Sequence, residues 1–234
     1  MCGRYSVILD EDMLSGAFKA RLNLDFKPHY NASPGQYLPV ITNDNPSVVQ
    51  LFRWGFIPAW AKEENVGYKM INARAEGITE KASFKKAAQS QHCLVLANSF
   101  FEWKQNSTGK NGKTPYRIQP TDQQLFAMAG IWNKWTNYET GEEIPTFAII
   151  TIEANEFMQL LHERMPVLLP QNNALEWISS GQPQANRLAL LQPYASTAME
   201  AYEVTKEVNK TIHDYPQLLE PVSETIRLQA RTAS

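Results

Sequence analysis

Apolar and polar residues alternate along this chain mostly with strand periods, interrupted by a few short stretches with helical spacing. Val48 to Trp54 is rich in β-branched and aromatic residues, and Cys93 to Ala97, Tyr116 to Gln119, Leu125 to Trp132 and Thr146 to Thr151 are apolar enough to predict strands buried on at least one face. Residues 10–19 place Met13, Leu14 and Phe18 on one helical face behind Asp10, a side chain suited to an N-cap. Further helices are predicted over Thr79–Ala88, Ala154–Leu161, Asn173–Ser179 and 184–192. Strands dominate the first 150 residues without alternating regularly with helices, so the pattern predicts an α+β arrangement with an antiparallel sheet, not a doubly wound parallel one.

Composition supports one domain. The 234 residues are 43% hydrophobic and 20% charged, enough for a substantial core. No Gly/Ser-rich, Pro-rich or single-sign charged linker divides residues 1–234, and no repeat of 20 to 50 residues stands out. A net charge of −2 leaves no global electrostatic attraction to nucleic acid, so binding to DNA would require a local basic face. Two cysteines, no signal peptide and no run of 18 apolar residues predict an intracellular, reduced protein without a membrane partner. The four histidines and two cysteines lack paired metal-ligand spacing, and neither a P-loop nor a dinucleotide glycine fingerprint is present, so no metal or other cofactor is expected.

Cys2 is the first residue to suggest chemistry. Loss of Met1 would leave an α-amine and a thiol on adjacent carbons, a 1,2-aminothiol. The amine condenses with an aldehyde to a Schiff base, and the thiol closes a five-membered thiazolidine. An α-amine has a reference pKa of about 7.7 to 8.0, against about 10.4 for lysine, so an appreciable fraction is nucleophilic near neutral pH. A working Cys2 therefore implies a carbonyl substrate.

Other clusters carry chemistry-bearing groups. Asn31-Ala32-Ser33-Pro34-Gly35-Gln36 has the composition of a turn, and Trp54 to Trp60 is made irregular by Gly55 and Pro58. Asn72, Arg74 and Glu76 fall within six residues. Phe100-Phe101-Glu102-Trp103 sets a carboxylate among aromatics at the end of an apolar strand, a setting in which desolvation favours acid/base work. His162-Glu163-Arg164-Met165-Pro166 closes the predicted helix before it, since Pro166 excludes Met165 from helical geometry.

Taken in order, Met1 to Tyr5, Asn31 to Pro34, Trp54 to Pro58, Ile71 to Glu76, Phe101 to Trp103 and His162 to Val167 resemble the SRAP family, the SOS-response-associated peptidase domains. Ala129 to Trp132, Thr151 to Asn155, Val204-Thr205 and Val208-Asn209 continue the likeness almost end to end. The resemblance implies a barrel-like antiparallel β core flanked by short helices, and covalent capture of abasic sites in single-stranded DNA. The aldehyde of the opened abasic sugar is then the carbonyl that Cys2 demands.

By motif position, Cys2 would be the nucleophile once Met1 is lost, by self-processing or by an aminopeptidase. Glu102 would be the acid/base, His162 an aid to ring opening and proton transfer, and Asn72 an orienting amide. Arg4 and Arg74 would hold phosphates, with Arg53 and Arg164 as further basic contacts, although Arg164 could instead brace the site through Glu76. Trp54 and Trp60 would stack bases, and Asn31 and Pro34 would line the pocket mouth. A monomer working with replication-fork proteins, and with the nucleoid in a bacterium, completes the expectation. Two departures stand out: His92 where a basic residue is usual, and Asn98-Ser99 where a glycine commonly precedes the Phe-Phe-Glu-Trp segment. A cysteine peptidase pairing Cys2 with His162, or a noncovalent single-strand binding module, are the alternative functions.

Overall fold

The computed structural model describes residues 2–105 and 112–229. Chain order runs β1 (Tyr5–Val7), α1 (Glu11–Phe18), β2 (His29–Ala32), β3 (Tyr37–Thr42), β4 (Asn45–Trp54), β5 (Asn72–Arg74), α2 (Lys85–Ser90), β6 (His92–Ala97), β7 (Ser99–Gln105) and β8 (Lys113–Pro120). It continues with β9 (Phe126–Thr136), β10 (Glu143–Glu153), β11 (Arg164–Pro166), β12 (Leu168–Leu169), α3 (Gln171–Trp177), α4 (Gln184–Ala189), β13 (Met199–Glu203) and β14 (Ile226–Arg227).

Five long strands close a barrel. In order β4-β3-β6-β9-β10, all neighbours are antiparallel except β10 and β4, whose parallel pairing completes the ring and removes both free edges. A second sheet, β14-β13-β8-β7-β1-β2, lies beside it and is antiparallel throughout. Tyr5 and Phe100 of that sheet share one buried cluster with Trp54, Val95, Met128 and Ile149 of the barrel, and the Tyr5 ring meets Trp54 at 5.0 Å. This is the α+β architecture with a barrel-like, mainly antiparallel core that the sequence predicts.

The short strand β5 continues the line of β4. Trp54 ends β4 opposite Phe147 of β10, and Asn72 begins β5 opposite Ile149. The two runs therefore occupy one lane along β10, and residues 55–71 leave the barrel wall and return to it.

The helix at residues 10–19 forms as α1, with the Asp10 carboxylate accepting the Met13 N–H at 3.1 Å. Three other helices are shorter than predicted, among them α4, which ends at Ala189. Residues 79–84 run through turns and α2 begins only at Lys85. Within Ala154–Leu161 only Met158–Leu160 forms one 3₁₀ turn, because Asn155 Oδ1 captures the Met158 N–H at 2.8 Å. The Ala154 N–H bonds Glu163 O, so this stretch is the loop of the β10–β11 hairpin. His162-Glu163 thus follows a hairpin loop, and Arg164 lies in a strand.

Glu102 also differs from its predicted place. It belongs to β7 in the second sheet, separated from β6 by a crossing at Asn98. Asn98 Oδ1 accepts the Ile8 N–H at 2.6 Å and its amide donates to Gln124 O, while Ser99 and Ser6 hydroxyls pair at 2.6 Å. Polar side chains hold the crossing here.

His92 proves to be a packing residue. It is wholly buried, its ring meets Trp177 edge-on at 4.8 Å, and Nε2 donates to Ala88 O. Burial lowers its pKa to about 4. Between that value and the unfolded one near 6.5, the unfolded chain binds the extra proton, so folding stability is complete above about pH 6.5 and declines as pH falls towards 4. At about 1.4 kcal/mol per unit the loss approaches 3 kcal/mol. Denaturant unfolding of wild type and His92→Gln between these pH values should show the slope flattened in the variant.

Candidate functional site

Cys2 enters the core beside β7. The Phe101 N–H donates to Arg4 O at 2.9 Å, extending the β1–β7 pairing towards the chain start, so Cys2 runs alongside the part of β7 that carries Glu102. Cys2 is 0% exposed and Glu102 3% exposed. Burial pushes the Cys2 thiol pKa well up, and the nearby Glu102 carboxylate pushes it further in the same direction.

The opposite wall is β5. Asn72 Nδ2 donates to Cys2 O at 2.8 Å, pinning the Cys2 carbonyl to the barrel. Asn72 Oδ1 is buried and has no hydrogen-bond partner among the described residues, which leaves an acceptor presented on the same amide group. Residues 2, 72 and 102 therefore converge from three distant parts of the sequence. Asn72→Ala would release the Cys2 carbonyl; since one net hydrogen bond contributes about 1 kcal/mol, any reaction that needs Cys2 held in place should slow by roughly fivefold in single-turnover assays.

Arg74 shares the Asn72 face of β5, two residues on, and is exposed, so it can reach a phosphate. His162 Nδ1 accepts the Arg164 N–H at 2.9 Å. The same Nδ1 lies 3.2 Å from Arg164 O, so the ring is held by the Arg164 backbone in either tautomer, and the shorter contact is the one that places the proton on Nε2.

Arg164 braces the wall. Its two terminal nitrogens each bond one Glu76 carboxylate oxygen at 2.8 Å, and Nη2 also donates to Thr151 O. Hydrogen bonding from Arg164 holds the Glu76 carboxyl below its ordinary value. With its fork committed and only 8% of its surface exposed, Arg164 takes the bracing role weighed against phosphate binding.

Three other expected DNA contacts lie elsewhere. Trp54 is core: its ring packs on Tyr5 and Phe147 and its indole N–H donates to Ile71 O at 3.0 Å, so neither face is offered to a base. Arg53 is buried, ion-paired with Glu64 and stacked under Tyr68 at 5.1 Å. Asn31 is buried too, and its amide donates to Val208 O, Lys210 O and His213 O. Pro34 is half-buried, and Trp60 is 61% exposed.

Arg4 divides its attention. Nη1 donates to Asn31 Oδ1 and Val208 O, both at 2.8 Å, and the guanidinium lies 5.7 Å from the Trp103 ring centre. Desolvation lowers its pKa. Trp103 Nε1 in turn donates to Asn209 Oδ1 at 2.6 Å, and Asp214 accepts the Tyr30 and Asn31 N–H groups and pairs with His29 at 2.7 Å. Residues 206–214 thus form a strap along the Arg4–Trp103 edge. Asp214 and Trp103 were not legible as supports; the nearest signal is Val208-Asn209.

Among the described residues no group of three or more His, Cys, Asp or Glu is placed to hold a metal ion, and no helix is long and apolar enough to cross a membrane. Barrel and side sheet together thus bury Cys2 with the Asn72 amide on its carbonyl and the Glu102 carboxylate nearby. The family described as SOS response associated peptidase (SRAP) matches residues 1–211, and the chain belongs to that family. Abasic site processing protein YoqW of Bacillus subtilis is 41% identical over 225 residues, covering 94% of this chain and 99% of the relative. Abasic site processing protein HMCES of Gallus gallus is 29% identical over 230 residues, covering 84% and 67%. A crystal structure of a protein from Bacteroides thetaiotaomicron superposes with a TM-score of 0.85 at 27% identity, covering 95% of this chain and all of the other.

Proposed function

We propose that this protein processes abasic sites in DNA by capturing the aldehyde of the opened sugar at Cys2. After hydrolytic loss of Met1, the Cys2 amine adds to the aldehyde and water leaves to form an imine. The thiol then adds to the imine carbon while its proton passes to nitrogen, so aldehyde and aminothiol yield a thiazolidine and one water. Glu102 relays protons between thiol, amine and departing water. Asn72 Oδ1 receives a hydrogen bond from the Cys2 amine or a sugar hydroxyl, and His162 donates from Nε2 to a sugar oxygen. Arg4 and Arg74 hold phosphates of a single strand, with Trp60 and Pro34 beside the lesion. Capture shields the lesion from strand cleavage.

The names of the relatives support abasic sites as substrate. The observation that carries the chemistry is the setting of the Cys2 thiol, buried and beside a carboxylate. A peptidase cysteine attacks as thiolate and sits where that pKa is depressed. Here both leading influences oppose the thiolate, which suits a thiol that adds second, as a neutral group losing its proton to a neighbour.

The test mixes protein lacking Met1 with a single-stranded oligonucleotide carrying one abasic site, an undamaged oligonucleotide, and a form of the protein that retains Met1. A denaturation-resistant adduct is expected only with the abasic strand and the processed protein. Absence of any such adduct sinks the proposal, and turnover of an unrelated peptide would favour a peptidase instead.

A further inference from the structure

Residues 55–71 form a built projection. At its neck Gly55, with φ of 134°, and Gly67 pack backbone to backbone: a Cβ on Gly55 would lie 2.8 Å from Gly67 O, and one on Gly67 2.7 Å from Gly55 O. Inside, Ile57 and Ala61 join Trp135 and Ile144 in a small core of their own. Asn133 Nδ2 donates to Ile57 O at 2.8 Å, Trp135 Nε1 to Ala61 O at 2.7 Å and Tyr138 OH to Ala59 O at 3.2 Å. The loop is anchored to the β9–β10 hairpin along its length.

The loop and the hairpin that anchors it display aromatic rings. Trp60, Tyr68 and Tyr138 are 61%, 59% and 69% exposed. Tyr68 is held from behind: its ring edge fits against Gly35, where a Cβ would come within 3.1 Å, and the Arg53 guanidinium lies 5.1 Å from its centre, itself fixed by Glu64. A ring supported in this way loses little freedom on binding and leaves its outer surface open. Along the chain Tyr68 stands four residues before Asn72, and Gly35, against which its ring packs, follows Pro34. Lys69 and Arg74, both exposed, add positive charge to the stretch after Tyr68.

We infer that Tyr68, with Tyr138 beyond it, stacks the bases of single-stranded DNA flanking the captured lesion, so that the strand is bound before and independently of the covalent step. This rests on the reading that abasic DNA is the substrate. Base stacking on an aromatic ring tolerates any sequence, as a lesion-directed protein requires, and each stack typically contributes about tenfold in affinity.

Fluorescence anisotropy with an undamaged single-stranded oligonucleotide tests this directly. Tyr68→Ala should weaken binding by about tenfold, Tyr138→Ala in the same direction by less, and Tyr68→Phe should match wild type because the ring is kept. With abasic DNA, Tyr68→Ala should raise the concentration for half-maximal adduct formation while leaving the rate at saturation unchanged. Unchanged anisotropy for Tyr68→Ala, or a Tyr68→Phe protein as weak as the alanine variant, overturns the inference. Failure of wild type to form any adduct would instead sink the capture chemistry, and the anisotropy arm would still judge the stacking surface.

Discussion

Cys2→Ala protein should give no adduct with abasic DNA that survives denaturation, yet should become linked to the same strand when a hydride reductant is added during the reaction. The variant keeps its α-amine, so the aldehyde still condenses to an imine. Without a thiol at Cβ the imine cannot close to a ring, and water returns it to free protein and strand. Reduction converts the imine to an amine that cannot hydrolyse. Asn72 holds the carbonyl of residue 2, not its side chain, so the backbone there stays placed. The readout is a denaturing gel of wild type and variant, each with and without reductant. A reductant-independent Cys2→Ala adduct would show that the stable linkage does not involve the thiol, whereas no adduct even with reductant would show that the amine is not the first nucleophile.

Glu102→Gln is expected to have the next largest effect, slowing adduct formation by about 10²- to 10⁴-fold, the usual contribution of a positioned acid/base. Two consequences of the substitution oppose one another. Removing the carboxylate's charge relieves one influence that raises the Cys2 thiol pKa, which would favour nucleophilic attack. Burial is the larger influence and is unchanged, so the thiol remains protonated at neutral pH and still needs a partner to take its proton. Loss of the proton acceptor therefore wins. Single-turnover rates at saturating abasic DNA measure this, and a rate within threefold of wild type would remove Glu102 from its assigned role. Glutamine nearly preserves size and polarity, so thermal unfolding should change little.

How much of this could be read from sequence depended on the length of each element. β6, β9, β10 and the second half of β4 are runs of mostly apolar, buried residues, so their pattern was legible, and α1 announced itself through Asp10. β1, β5, β11, β12 and β14 contain two or three residues each and exist because a partner strand accepts them. No local pattern predicts such strands, and β5 carries Asn72. Residues 154–161 misled because their apolar spacing suits a helix, while Asn155 diverts the backbone hydrogen bonds into a turn. Cys2, Asn72 and Glu102 were legible through the order of their motifs. Trp54 was not separable from Trp60 by composition, since only the tertiary structure places one tryptophan inside and the other out.

The strap at residues 206–214 also bears on the order in which the protein folds. Val208 and Asn209 hold Arg4 and Trp103, and Asp214 holds the strand bearing Asn31, so contacts that frame the start of the chain span about two hundred positions. The edge that Arg4 and Trp103 share closes only when Val208 and Asn209 reach it, and Val208 lies 204 positions from Arg4 along the chain. Contacts so far apart in sequence carry a high loop-closure cost, which local strands and hairpins do not. The strap is therefore expected to dock among the slow steps of folding, after the barrel strands have paired.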